Sequence, residues 1–212
     1  MRSFYNPKTF KKDELPKLHQ FINKFNFATI ITTPSGGLTI SHLPLLLDSS
    51  RGRFGILQGH CAKANAHWKD FETGTNVVCI FNGPHGYISP SWYVDPLNVP
   101  TWNYAVVHIS GKAKTITEAN ALDEILAQTV QKHESEFEKP WLYKLPDEFK
   151  SDLHKAIVGF EIEIEAIEGK FKLSQNRSRE DWQSAVRHVE HHYSKSNPDL
   201  VKMMNETIKD DL

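Results

Sequence analysis

The apolar positions fall into short runs whose period changes along the chain. Over residues 157–169, IVGFEIEIEAIEG, the side chains of Phe160, Ile162, Ile164 and Ala166 alternate with Glu161, Glu163 and Glu165. A period of two puts one set on each face of a half-exposed strand. In residues 13–25, Leu15, Leu18, Ile22 and Phe25 share one helical face, with Asp13 placed to cap and Pro16 in the first turn. Residues 27–47 predict two β-rich runs around Pro34-Ser35-Gly36-Gly37, a hairpin signal. Further strands are predicted at 54–60, 76–82 and 104–117, the last with a bend or bulge at Gly111. Helical spacing marks 118–138, 146–155 and 179–194, and residues 61–71 fit a short helix starting near Ala62–Asn65. The polar tail after Pro198 is helical at best. About six strands joined mostly by hairpin-length links predict a β-rich α+β fold. It would be an antiparallel sheet or barrel with peripheral helices, not a doubly wound parallel sheet. No repeat or linker interrupts it, so one domain over residues 1–212 is expected, with a C-terminal helix and tail at about 179–212.

One segment breaks the pattern. GPHGYISPSWYVDPLNVPTWNY, residues 83–104, carries Pro84, Pro90, Pro96 and Pro100, which argue against a helix and a regular central strand. It also carries Tyr87, Trp92, Tyr93, Trp102 and Tyr104. Rings of that size are costly to leave in water and give large contact area to a partner. The segment must pack on the body, on a second subunit or on a flat ligand.

Composition excludes several classes. The net charge is −1, so no overall basic field draws the chain to nucleic acid or an anionic membrane. No apolar run approaches a membrane span, and the first residues lack the apolar core of a signal peptide. A cytoplasmic protein with no membrane partner is expected. Cys61 and Cys79 form no CxxC pair and read as buried free thiols. There is no Gly-rich dinucleotide fingerprint, P-loop, nucleophile elbow or HExxH.

Four places could carry chemistry. In QGHCAKANAHW, residues 58–68, a strand runs into a predicted helix start. Lys63 would add charge there to free backbone N–H groups, with His60 and Asn65 beside it. A phosphate suits such a place; a solvated lysine beside a capping asparagine suits it too. In SHLPLLL, residues 41–47, His42 sits among apolar neighbours and reads as a core histidine. In KLSQNR, residues 172–177, Lys172 and Arg177 flank Ser174, Gln175 and Asn176. That set suits a phosphate or a heteroaromatic edge, or else a polar turn before a helix capped by Ser178 and Asp181. His188 and His192 are spaced i, i+4 as a metal pair would be, but no third ligand is evident and a solvated face explains them. No residue is committed as a catalytic acid, base or nucleophile, and no metal site is assigned. A β-rich chain with two cationic turns and a stiff aromatic segment has the parts a flavin mononucleotide site requires.

The strings SHLPL (41–45), GHCAKAN (59–65), FNGPHGYISPSWY (81–93), VPTWNY (99–104) and IVGFEIEIEAIEGKFKLSQNR (157–177) resemble the PaiB family of FMN-binding negative transcriptional regulators. The resemblance runs from FYNPKTF, residues 4–10, to about residue 190. Gly86 and Ala66 depart from it, standing where alanine and proline are expected. It implies an FMN-binding split β-barrel, antiparallel and Greek-key-like, related to pyridoxamine-phosphate oxidase, and a homodimer with flavin at the subunit interface. By that likeness His42, Leu43 and Pro44 line the flavin, and His60, Lys63 and Asn65 hold its phosphate. Trp92, Trp102 and Asn103 wall the ligand space, while Lys172, Gln175 and Arg177 close it. The implied function is repression, through DNA directly or through a partner regulator. A flavin-dependent oxidoreductase or flavin reductase, with His60, His85, His108 or Tyr87 moving protons, is the alternative. Haem binding or degradation, as in some split-barrel relatives, is a further one.

Overall fold

The computed structural model describes residues 4–34 and 37–207; Ser35 and Gly36 of the expected hairpin turn lie outside them. Eight strands form one sheet: β1 (Lys11–Lys12), β2 (Phe27–Thr32), β3 (Thr39–Pro44), β4 (Leu46–Asp48), β5 (Ile56–Ala62), β6 (Asn76–Ile88), β7 (Thr101–Ile116) and β8 (Ile157–Lys172). The order is β3-β2-β6-β7-β8-β5-β4, with β1 on β8. The registers of β2 with β3 and β6, of β4 with β5, and of β8 with β1 and β5 are all antiparallel. The helices are α1 (Leu15–Lys24), α2 (Trp68–Glu72), α3 (Ala119–Glu134), α4 (Asp147–Ala156), α5 (Arg179–Tyr193) and α6 (Pro198–Thr207).

The chain divides into two compact units, and β6, β7 and β8 each contribute to both. The first contains residues up to Glu14, Asn82–Val107 and everything from Glu168 onward. Its core is Ile88, Tyr93 and Leu173 with the apolar stripes of α5 and α6. The described part of the tail, Pro198–Thr207, is a helix, because Leu200, Val201 and Met204 recur at helical spacing and are buried. Gly86 also finds its reason here: a Cβ on it would come within 2.6 Å of Leu200 Cδ2 and 3.2 Å of the Tyr193 ring. Ser178 caps α5, accepting from the Asp181 N–H at 3.2 Å.

The second unit, Leu15–Phe81 with His108–Ile167, buries Ile22, Ile30, Leu57, Cys79, Phe81, Phe160 and Ile162. Both thiols are free and buried, and burial pushes the Cys61 thiol up to about 11. The alternation in β8 is only partly a wet face. Glu161 is buried, and its carboxylate takes both Arg51 guanidinium nitrogens at 3.1 Å and Lys114 Nζ at 2.8 Å. Burial favours its neutral form, but Lys114 and Arg51 outweigh that and hold it below its ordinary value.

Two expectations change. Residues 83–88 are strand, not loop, so the proline segment shrinks to residues 89–100, with a 3₁₀ turn at Pro90–Trp92. The β2 ladder on β6 ends at Phe81, before Pro84, so the missing proline N–H breaks no bond in it. His42 is exposed and meets Thr29 at 3.1 Å, so it is not a core histidine; in the β3 alternation the buried neighbour is Ser41.

At Gly111 the strand passes too close for any side chain, because a Cβ would lie 2.0 Å from the Glu163 carbonyl oxygen. Gly111→Ala is expected to cost at least ~2 kcal/mol, since backbone must shift to admit it. Urea denaturation checks this, and a midpoint within error of the parent would contradict the close approach.

Candidate functional site

The sequence-predicted residues fall into two groups, one in each unit. In the second unit, His42, Leu43 and Pro44 lie on β3, and His60, Lys63 and Asn65 lie at the end of β5. The junction differs from expectation. β5 continues to Ala62 and α2 starts only at Trp68, later than the helix start expected near Ala62–Asn65. The Lys63 N–H donates to the Ala156 carbonyl at 2.8 Å, and the Asn65 N–H to Ala62 at 2.9 Å. The helix spans five residues, so the free N–H groups expected near Ala62–Asn65 are not there.

A buried polar chain occupies this place instead. Asn65 Nδ2 donates to Ser41 Oγ at 2.9 Å, and Ser41 meets His67 Nδ1 at 2.8 Å. His67 Nε2 meets Thr32 Oγ1 at 2.9 Å, and the Thr32 hydroxyl donates to Asp70 at 2.5 Å. With His67 neutral and its proton on Nε2, each link of the chain joins one donor to one acceptor. Asn65 is thereby a brace between β3 and the α2 turn, and Lys63 is exposed. His67, which sequence reasoning passed over, is the hub; its only signal was a histidine before an aromatic-rich helix. His60 turns elsewhere, into an apolar cavity lined by Leu126, Tyr143 and Phe149 among others.

In the first unit, KLSQNR forms a tight turn after β8. Ser174 is left-handed, at φ +68°, a conformation costly for a side chain other than glycine. Asn103 holds it: fully buried, its Nδ2 donates to Ser174 Oγ at 2.9 Å and its Oδ1 accepts from the same hydroxyl at 3.2 Å. Gln175 folds back, accepting from the Leu173 N–H at 2.6 Å and donating to the Phe171 carbonyl. Its amide is spent on shaping the turn.

The turn gathers positive charge. Lys172 Nζ donates to the Trp102 carbonyl at 2.8 Å and to Thr101 Oγ1. The Arg177 guanidinium donates to Asn98 Oδ1 and lies 4.7 Å over the Tyr93 ring. Lys170, which the sequence reading did not single out, donates to the Tyr5 carbonyl at 2.9 Å and lies over the Tyr5 and Tyr104 rings. Among the described residues each cation meets neutral oxygens and aromatic faces, not a carboxylate. Burial, then Arg177 and Lys170, hold the Lys172 ammonium below its ordinary value. A Lys172 ammonium held down by its cationic neighbours, with no carboxylate beside it among the described residues, favours an incoming anion.

Around this turn lie the rings of the proline segment. Trp102 is 54% exposed, with Tyr87 edge-on at 6.0 Å and His85 at 6.3 Å. Trp92 is half-buried and stacks on His188 at 5.9 Å and 7°. His192 lies 5.8 Å from the same ring, so the i, i+4 histidine pair grips an indole. Among the described residues no His, Cys, Asp and Glu cluster could hold a metal. Asp181 ties the segment to α5, accepting from the Val94 and Asp95 N–H groups at 2.7 and 3.0 Å. Those backbone bonds hold its carboxyl below the usual range.

Residues 4–166 match the family described as "Putative FMN-binding domain". Over 206 residues the chain is 35% identical to the "Protease synthase and sporulation protein PAI 2" of Bacillus subtilis, covering 97% of this chain and 98% of that one. This chain belongs to the PaiB family of FMN-binding proteins. The match assigns FMN as its cofactor. Solved structures show the same split-barrel fold at low identity. The flavocytochrome Anf3 of Azotobacter vinelandii superposes with a TM-score of 0.59 at 11% identity, over 76% of this chain and 69% of that one. The conserved protein Rv2991 of Mycobacterium tuberculosis gives 0.57 at 12%, over 82% and 94%. The donor set fits the cofactor: an uncompensated cationic turn suits a phosphate, and exposed indole suits a flat ring.

Burial holds both His60 and His67 below the ordinary imidazole value, with Asp70 opposing it at His67. Unfolded, both take up protons below about pH 6.5, while the folded chain resists. Their contribution to stability is therefore complete above that pH and is lost as pH falls. The depressed carboxyls of Asp48, Asp123, Glu161 and Asp181 give way only at lower pH. The urea midpoint is expected to fall between pH 7 and pH 5. The double variant His60→Leu, His67→Gln should flatten that slope; an unchanged slope would assign it to other groups.

Proposed function

We propose that this PaiB-family chain is a cytoplasmic FMN-binding homodimer that lowers transcription of its target genes. The observation that carries the FMN site is the turn that brings Lys170, Lys172 and Arg177 together with no carboxylate beside them among the described residues. In this reading Lys172 and Arg177 hold the phosphate and Trp102 offers its exposed face to the ring system. Asn103 and Gln175 act through the turn they brace. FMN, once bound, supplies the redox chemistry. The two compact units are read as one split-barrel domain, because three strands contribute to both.

The regulatory part rests on the Bacillus subtilis relative, whose name couples "protease synthase" with sporulation. Exposed apolar side chains support the dimer: Val94, Leu97, Val99 and Trp102 stand on the segment that Asp181 pins. Such a patch suits a second copy of the chain. The C-terminal helices carry Arg179, Arg187 and Lys202, but Glu180, Glu190 and Glu206 dilute them, and Lys202 is within 3.9 Å of Glu206. Repression through a partner protein is therefore favoured over direct DNA contact. No helix among the described residues is long and apolar enough to cross a membrane.

Lys172→Ala and Arg177→Ala are each expected to weaken FMN binding at least tenfold, as loss of a charge-assisted bond to phosphate does. Flavin fluorescence titration reads this directly. If Lys63→Ala weakens binding and those two do not, the phosphate belongs at the end of β5. Leu97→Asp is expected to convert a dimer to a monomer in light scattering behind gel filtration; a parent chain already monomeric would remove the dimer reading. A gel-shift at low salt that vanishes as salt rises would instead show direct DNA binding.

A further inference from the structure

The second unit holds a cavity of about 330 Å³ that the FMN reading does not use. Leu126 and Val130 come from α3, Trp141 and Tyr143 from the strap between α3 and α4, and Phe149 from α4. His60 reaches in from β5. The strap is tied down by its own polar groups. The Trp141 N–H donates to Glu134 Oε2 at 2.6 Å, and the Tyr143 hydroxyl donates to Asp123 at 3.0 Å. Lys150 meets the other oxygen of Asp123 at 2.8 Å. Burial and the Asp123 charge push the Tyr143 hydroxyl up to about 12, so it stays a neutral donor committed to that carboxylate. With those bonds made, the Trp141 N–H and the Tyr143 hydroxyl are spent on α3, and Trp141, Tyr143 and Leu145 line the cavity.

His60 is the exception in the lining. It is half-buried, desolvated, and has no hydrogen-bond partner among the described residues. A half-buried imidazole facing apolar walls, with no partner among the described residues, has a ring nitrogen that a ligand could engage. The size limits the occupant. The cavity is about twice the ~150 Å³ that takes a benzene ring, which corresponds to two fused rings. The lining has no ionised side chain, so a phosphate or carboxylate would enter without a partner at a high desolvation cost. We propose that this cavity binds an uncharged two-ring aromatic molecule carrying one hydroxyl or N–H group, which donates to the imidazole of His60.

The test is calorimetric titration of the full chain with two probes, 2-naphthol and 2-methoxynaphthalene. They share a ring system, and only the first can donate a hydrogen bond. One 2-naphthol per chain is expected. His60→Leu should weaken 2-naphthol about threefold to tenfold, the worth of one neutral hydrogen bond, and leave the methyl ether unchanged. Val130→Phe fills the cavity and should abolish both; Leu126→Phe serves the same purpose if the first variant fails to fold. Circular dichroism and retained FMN absorbance establish that the filled variant is native. No binding of either probe, or binding undiminished in a folded, filled variant, overturns the proposal. So does a His60→Leu effect of equal size on both probes. Loss of FMN retention in Arg177→Ala with 2-naphthol binding intact would separate the two sites, since the probes report only on the cavity.

Discussion

A buried amide holding a left-handed serine is the contact on which the cationic turn depends. Ser174 pays on the order of 1–3 kcal/mol for its backbone conformation. Asn103 offsets that cost with two bonds to the serine hydroxyl in a place water does not reach. The left-handed residue reverses the chain within KLSQNR, and the reversal brings Arg177 back toward Lys172. Without it, β8 would run on and the two cations would diverge. Strain of this kind persists where surrounding structure over-determines it. Here β7 supplies the asparagine, and Met204 of α6 lies 3.4 Å from the same amide.

The cations themselves are arranged at a cost the fold does not recover internally. Lys170 is buried and Lys172 half-buried, and each donates to backbone or hydroxyl oxygen where an acidic side chain would have been worth more. Elsewhere the same chain pairs its charges carefully. Glu161 has both Arg51 and Lys114, and Asp123 has Lys150 and Tyr143. The contrast separates charge neutralised on site from charge left beside neutral oxygens, which is what the proposed phosphate site requires.

The histidines divide by the same logic. His67 is closed into a chain of five side chains and serves packing. His188 and His192 clasp Trp92 from α5 and fix the start of the proline segment. His60 alone among these faces an apolar space with both ring nitrogens uncommitted. Spacing treats all of them alike; environment makes one a brace, two a clamp and one an open position.

Much of the fold was legible in the chain because periodicity reports burial directly. The β8 strand and the apolar stripes of α3 and α5 follow from which side chains can meet water, whereas at Gly111 the chain signalled only a bend or bulge and the fold supplied the close approach to Glu163. Family membership was legible too, since strings such as GPHGYISPSWY and KLSQNR are too long and unusual to arise by chance. What periodicity could not supply was direction. Whether Lys63 meets a free helix end depended on where β5 stopped, and pairing to β8 carried it to Ala62. Whether Gln175 faced a ligand or its own backbone depended on the sign of one φ angle, at Ser174. Lys170 and His67 could not be picked out because their roles come from neighbours far away in sequence: Tyr5 and Tyr104 in one case, Thr32 and Ser41 in the other. Sequence determines which groups are available and which faces are buried; only the tertiary fold decides which of those groups are consumed by one another and which remain for a ligand.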